Sequence, residues 1–149
     1  MAVTIHSEAG VTVKGDGQMD ETHSVLRVRL GLSDAHYAGE LVAGARMLEL
    51  FGDLATELSI LHYGNEGLLR AFAEVEFLAP VHAGDFIEAR GRISAVNRTS
   101  RSCEFEAYKV IAADSAPSST TAMVLSPPVL VARAQGTIVS SPPDVSGAK

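Results

Sequence analysis

The sequence predicts an α+β domain in which an antiparallel sheet wraps a single long helix, and three observations carry that expectation. Residues Leu41 to Leu61 run without proline and repeat apolar side chains at helical spacing, whereas the flanking stretches alternate like strands. The element order, one strand, one long helix and then four strands, leaves one apolar helix to be covered by one sheet, and wrapping buries both faces economically. A length of 149 residues suits one domain with one core.

Each element follows from local pattern. Residues 1–21 are expected to form a loose N-terminal segment, since Val11 to Glu21 is rich in glycine, aspartate and other polar residues. The first strand is His23 to Leu30, where Val25, Leu26, Val28 and Leu30 recur around Arg27 and Arg29. A polar turn, Gly31 to Gly39, leads into the helix, and Tyr63-Gly64-Asn65-Glu66-Gly67 supplies the glycines and asparagine that follow a helix C-terminus. Strands are then expected over Leu68 to Leu78 and Phe86 to Val96, separated by the bend Ala79 to Asp85, and over Arg101 to Ile111 after the turn Asn97-Arg98-Thr99-Ser100. A small-residue loop, Ala112 to Thr121, precedes a last strand, Val129 to Val139, entered through Pro127-Pro128. The domain therefore spans residues 22–140, and 141–149, with Pro142-Pro143, reads as a mobile tail.

Composition narrows the function classes. Apolar residues form 46% of the chain and charged residues 20%, which is globular rather than disordered. A formal net charge of −6 argues against nucleic acid or an anionic membrane, because those partners require a basic patch. No apolar run approaches the roughly 20 residues of a membrane span. The opening MAVTIHSEAG lacks the basic-then-apolar order of a secretory signal, which favours the cytoplasm. Cys103 is the single cysteine and lies in an alternating stretch, so a half-buried structural thiol is expected. His6, His23, His62 and His82 are scattered without ligand spacing, so neither a metal nor a prosthetic group is expected. The partner expected from this balance is a small molecule.

Three segments carry a more specific pattern: Asp34-Ala-His-Tyr-Ala-Gly39, Leu41-Val-Ala-Gly44-Ala-Arg46, and Gly52-Asp53-Leu-Ala-Thr56-Glu57-Leu58. With Phe77-Leu-Ala-Pro80-Val81, Gly84-Asp85-Phe86, Phe105-Glu106-Ala107, Lys109-Val110 and Pro127-Pro128-Val129-Leu130, the chain resembles the clostridial β-aminoacyl-CoA ammonia-lyases, which act on 3-aminobutyryl-CoA or β-alanyl-CoA. The helix region is the most specific part of the resemblance, since hot-dog thioesterases and dehydratases share the Pro80-Val81 to Gly84-Asp85 signature. The resemblance implies a hot-dog fold of five antiparallel strands around the long helix. It also implies active sites shared between two subunits, a homodimer or a hexamer built as a trimer of dimers, and an acyl-CoA substrate with coenzyme A as part of that substrate rather than a cofactor.

Removing ammonia from a β-aminoacyl thioester requires a donor for the thioester oxygen, a base for the α-proton and an anionic seat for the ammonium group. Unpaired backbone N–H groups at the expected helix start, Ala38 to Leu41, are candidate donors, and Gly39 would permit close approach. His36 could donate to the same oxygen, with Asp34 fixing its tautomer or the loop geometry. Tyr37 adjoins them as a substrate contact. The alternatives are plain: an aspartate near a helix start forms turns and caps, a neighbouring histidine is often a surface residue, and a tyrosine at a dimer seam explains itself by burial.

On a helical wheel Arg46, Glu49, Asp53, Thr56 and Glu57 share one side. Like charges at this spacing cost about 0.2 to 0.5 kcal/mol per pair, and Arg46 neutralises only part of the row. A cationic amine would relieve the repulsion, so Asp53 and Glu57 are the candidate base and ammonium-binding pair, in either order. A solvated helix face is the competing reading. Arg98 and Ser100, in the turn Asn97 to Arg101, are candidates for the coenzyme A phosphates, and a polar hairpin tip accounts for them equally well. Two other functions compete with a lyase. A hot-dog thioesterase would place its usual carboxylate at Phe51, which cannot activate water, and a non-catalytic acyl-CoA-binding module would need an effector element that the sequence lacks.

Overall fold

The proline-free run builds the helix α1 (Gly44–Tyr63) in a structure, a computed structural model, that describes residues 3–12, 21–114, 116 and 119–139. Met47, Leu50, Phe51, Leu54 and Leu58, spaced three and four apart or adjacent, form its buried stripe. Gly64 (φ 76°) takes the left-handed C-cap, and its N–H donates to the Ile60 carbonyl at 2.7 Å. The start lies later than the expected Leu41. Gly39 (φ 72°) and Glu40 (φ 60°) are both left-handed, so Ala38–Glu40 is an isolated 3-10 turn and the backbone cannot continue from it as a helix. Leu41 and Val42 then run extended and bridge to His82 and Ala35.

Among the described residues six strands cover the helix: β1 (Val3–Thr12), β2 (Glu21–Arg29), β3 (Leu68–Phe77), β4 (Phe86–Val96), β5 (Ser100–Ala113) and β6 (Ala122–Val139). Their order is β1-β2-β4-β5-β6-β3 with every neighbouring pair antiparallel. The α+β class therefore holds, with β2 to β6 as the five expected strands. β1 is an addition: residues 3–12, expected to be loose, pair along β2 from Val3↔Arg29 to Thr12↔Glu21. Without β1, the outer edge of β2 would leave its backbone N–H and C=O groups unpaired, and Val3-Thr4-Ile5 starts with strand-forming residues. The tail expected over residues 141–149 lies outside the described residues.

β6 also begins earlier than expected, at Ala122 rather than Val129. Its register with β5 jumps from Lys109↔Val129 to Ile111↔Val124, so residues 125–128 bulge out opposite Val110. Pro127 and Pro128 have no N–H to give to a ladder, so the strand accommodates them by leaving it. On the inner face Phe105 stacks on Phe51, with ring centroids 5.3 Å apart. A Cβ at Gly136 would lie 2.6 Å from the Phe105 ring and one at Gly91 3.1 Å from it, which is why glycines flank this ring on β6 and β4. Cys103 is buried beside it. Burial pushes its thiol up to about 12, only partly opposed by the Arg101 charge, so the thiol is neutral and structural.

The ladder fixes the two ends of the molecule. Arg29, Phe86, Ile111 and Phe77 lie at one end with the start of α1, where Phe77 packs on Gly44. Arg92 to Val96, Ser100 and Leu68 lie at the other, where the Arg101 guanidinium sits over the Tyr63 ring near the end of α1. Among the described residues β3 forms a sheet edge with no partner strand on its outer side, and Leu68 and Phe77 on it are exposed. Among the described residues no helix is long and apolar enough to cross a membrane.

Candidate active site

The loop before α1 is tied down by backbone and by one carboxylate. Asp34 Oδ2 accepts the Gly31 N–H at 2.8 Å, and Oδ1 accepts Arg46 Nε at 2.9 Å. Both oxygens of Asp34 therefore hold loop geometry, and neither is bonded to the His36 ring. The N–H groups of His36 and Tyr37 both donate to the Leu41 carbonyl, at 2.9 and 3.0 Å, and their exposed rings meet edge-on at 4.6 Å. Val42 donates to the Val81 carbonyl at 2.8 Å and Ala83 to the Glu40 carbonyl at 3.0 Å, stitching the loop to the turn before β4. That turn is braced by buried Asp85, which accepts the N–H groups of His82 and Ala113 at 2.8 Å each and pairs with Lys109 Nζ at 3.3 Å. The Pro80-Val81 to Gly84-Asp85 signature is thus a structural brace of the site. Gly39 has open space around its Cβ position, and its left-handed φ is what calls for glycine.

The first turn of α1 lies further along the chain than Ala38 to Leu41, so the unpaired N–H groups of the helix start belong to Gly44 and Ala45, where no side chain caps the helix. The Arg46 N–H is already given to the Ala43 carbonyl at 3.0 Å. Beside these donors opens a groove of about 340 Å³, bounded by Leu41, Gly44, Met47, Phe77, Leu78 and Val131 among others, with no titratable side chain in its lining. A thioester oxygen placed on the two N–H groups would meet the positive end of the helix dipole at the mouth of an apolar channel.

The acidic row separates into different environments. Glu49 and Asp53 are exposed and, among the described residues, have no ion pair, because Arg46 pairs with Asp34 instead. Glu57 is half-buried and accepts a hydrogen bond from Ser24 Oγ, a buried hydroxyl on β2. Thr56 Oγ1 only returns to the Gly52 carbonyl at 3.1 Å. At 1.5 Å of rise per residue, Asp53 stands about 13 Å and Glu57 about 20 Å along α1 from Gly44. The carbonyl and amino groups of one β-aminoacyl unit are separated by only three bonds. The N-terminus of α1 and the acids of the same α1 therefore cannot serve one substrate molecule.

Arg98 and Ser100 are likewise remote from the loop. Asn97 donates to the Ser100 carbonyl at 2.8 Å to close the β4–β5 turn, which lies at the far end of the sheet. One cation that sequence reasoning missed lies at the near end: exposed Arg29 borders a depression of about 230 Å³ with Gly31, Glu40 and Gly84. Its outward position at the end of an alternating strand was a usable signal. Gly44 and Phe77, the floor and wall of the apolar groove, were also missed as site residues, because their proximity depends on the β3–α1 packing. Phe51 is fully buried, so the position usual for a thioesterase carboxylate carries only a core ring. A depression of about 440 Å³ lies elsewhere, on the outer sheet face among Glu74, Glu76, Glu104, Glu106 and Arg133, where Arg133 pairs with Glu76 at 2.9 Å. Among the described residues no group of three or more His, Cys, Asp or Glu is arranged to hold a metal ion.

Residues 39–111 match the thioesterase superfamily. The chain is 53% identical over 116 residues to the 3-aminobutyryl-CoA ammonia lyase of Acetoanaerobium sticklandii, an alignment covering 78% of this chain and 92% of that protein. Its structure superposes on the β-alanyl-CoA:ammonia lyase from Clostridium propionicum with a TM-score of 0.78 and 38% identity, covering 80% of this chain and 85% of the other. A hexameric broad-specificity acyl-coenzyme A thioesterase shares the fold alone, with a TM-score of 0.61 and 18% identity over 83% of this chain and 81% of its own. The level and extent of identity to the two lyases make the chain a member of the β-aminoacyl-CoA ammonia-lyases, enzymes built on the hot-dog fold.

Proposed function

We propose that this enzyme reversibly eliminates ammonia from 3-aminobutyryl-CoA to give crotonyl-CoA, in a site completed by a second subunit. The observation that carries the proposal is the acidic row of α1, left without its arginine and too far from the helix N-terminus to act within one chain. The N–H groups of Gly44 and Ala45 hold the thioester oxygen of one subunit's substrate, with the His36 ring as a further donor and Tyr37 beside it. Asp53 and Glu57 of the partner subunit provide the carboxylates. Their Cβ atoms, one helical turn apart, are separated by about 5–6 Å, a spacing that brackets an α-carbon and an amino nitrogen about 2.5 Å from each other.

In the forward direction one carboxylate takes the α-proton, and the C–H electron pair passes through the enolate stabilised at the helix N-terminus. It then forms the Cα=Cβ bond as the β C–N bond breaks. The nitrogen keeps that bonding pair and leaves as ammonia from its seat on the other carboxylate. The free edge of β3 supports assembly into a dimer, and a trimer of such dimers accords with the hexameric fold relative. Arg98 and Ser100 of one subunit and Arg29 of the other offer cations and a hydroxyl to the phosphates of coenzyme A.

The test is an ammonia-release assay on 3-aminobutyryl-CoA and β-alanyl-CoA with the enoyl thioester followed directly. The expected result is enoyl product from both, with kcat/KM about tenfold or more in favour of 3-aminobutyryl-CoA, the usual value of one methyl group in a fitted pocket. Free coenzyme A thiol without enoyl product would overturn the proposal.

A further inference from the structure

We infer that Phe77, held against Gly44, is the residue that limits the length of the acyl group this enzyme accepts. The inference rests on the proposed function, because it takes the groove beside the Gly44 and Ala45 N–H groups to be the acyl channel. Phe77 ends β3, where the sheet meets the start of α1, and its ring lies directly over Gly44: a Cβ built there would be 2.5 Å from Cε1, 2.7 Å from Cδ1 and 2.8 Å from Cζ. Only glycine at position 44 lets the ring seat this deeply, and its α-helical backbone does not otherwise call for one.

Phe77 is nonetheless 55% exposed in the single chain, so the core of that chain does not need it for burial. An aromatic side chain half in solvent, seated on a glycine at the wall of an apolar groove, has the position of a stop rather than of a core residue. The groove lining carries no charge, so it suits the alkyl part of an acyl group. The amino group of the same substrate must point away from it, towards the carboxylates of the partner subunit. Phe77 thereby leaves the groove able to accept a hydrogen or methyl substituent on the β-carbon and closed to a longer chain.

Binding of straight-chain acyl-CoAs from propionyl to octanoyl tests the filter without requiring turnover. In an open apolar channel each added methylene strengthens binding about fourfold, the equivalent of about 0.8 kcal/mol. Wild-type enzyme is expected to gain from propionyl to butyryl and then to stay level or weaken. Phe77→Ala is expected to restore a gain of about fourfold per methylene up to hexanoyl or beyond, and Phe77→Leu to fall between them. Gly44→Ala should weaken butyryl-CoA binding in the wild-type background, where the new methyl collides with the ring.

A wild-type affinity that keeps climbing through octanoyl-CoA would overturn the inference, as would a Phe77→Ala series superimposable on wild type. Ammonia release measured on the same preparations separates the two failures. A folded enzyme that eliminates ammonia while its chain-length series ignores Phe77 loses the filter and keeps the lyase. One that shows the chain-length shift without eliminating ammonia keeps the filter and loses the lyase.

Discussion

The two ends of α1 are built on opposite plans. At the N-terminal end the helix has no side-chain cap, its first residue, Gly44, lines an apolar groove, and the preceding loop is secured by its backbone and by the Asp34–Arg46 pair. Towards the C-terminal end polar groups are folded inward: Glu57 takes the buried Ser24 hydroxyl, Arg101 covers Tyr63, and Gly64 closes the last turn. One end leaves donors available to a ligand, and the other uses its polar groups on itself. Asp53 lies between these plans, exposed and with no ion pair among the described residues, whereas Glu57, one turn later, is already engaged.

The largest effect should come from breaking that difference at the acids. Asp53→Asn is expected to lower kcat about a hundredfold or more, the scale of a lost general base or ammonium seat, with unfolding free energy within about 0.5 kcal/mol of wild type. Glu57→Gln should lose turnover similarly and also a little stability, about 1 kcal/mol, because the amide oxygen still accepts the buried Ser24 hydroxyl but bonds it more weakly than a carboxylate does. Mixing Asp53→Asn subunits with Gly44→Val subunits, each inactive alone, should restore about a quarter of wild-type activity. This figure assumes random pairing, with one intact site in each mixed dimer. Near-native turnover in both acid variants would reduce the row to a solvated face. Failure of the mixture to recover would sink the two-subunit site.

A smaller effect is expected at the opposite end. Arg46→Ala removes the tie between α1 and Asp34 while leaving the N–H groups of Gly44 and Ala45 in place. KM for the acyl-CoA should rise several-fold with a smaller change in kcat, and stability should fall by about 1–3 kcal/mol for a charge-assisted bond whose other partner stays in place. A fall in kcat matching that of Asp53→Asn would mean that Arg46 acts in the chemistry itself, and that the loop-tether account is wrong.

These contrasts also explain what the sequence made legible. The long helix and the five strands of the wrapped sheet were readable, because their periodicity is local and strong. β1 was hidden by the polar stretch after it, since its pairing depends on the exposed edge of β2. The true start of α1 was hidden by left-handed Glu40, a residue for which that conformation is not the default. At the site, Asp34, His36, Tyr37 and Gly39 do share one loop, and Asp53 and Glu57 do share one helix face. The axial distance between those groups, and the placement of Arg98 and Ser100 at the far end, follow only from helix rise and sheet register. Phe77 on Gly44 is a contact between elements distant in sequence, which no pattern within either element announces.

The closed end allows a last and smallest test, at Cys103. Burial raises its thiol from 9.0 to about 12, so the folded protein holds this proton more tightly than the unfolded chain does. A raised pKa contributes stability that is full below the unfolded value and is lost as pH rises through the folded one. The contribution of Cys103 should therefore be constant up to about pH 9 and decline between pH 9 and 12. Tyrosine and lysine titrate over the same range, so the informative quantity is the difference between wild type and Cys103→Ala in urea-unfolding midpoints: the variant, less stable at pH 8 through its lost packing, should converge on wild type as pH rises. At pH 8 a disulfide reagent should label the native thiol only as fast as the protein opens. Rapid stoichiometric labelling of the folded enzyme would show that the thiol is accessible after all, and that the polar packing around Arg101 and Tyr63 is looser than the closed end requires.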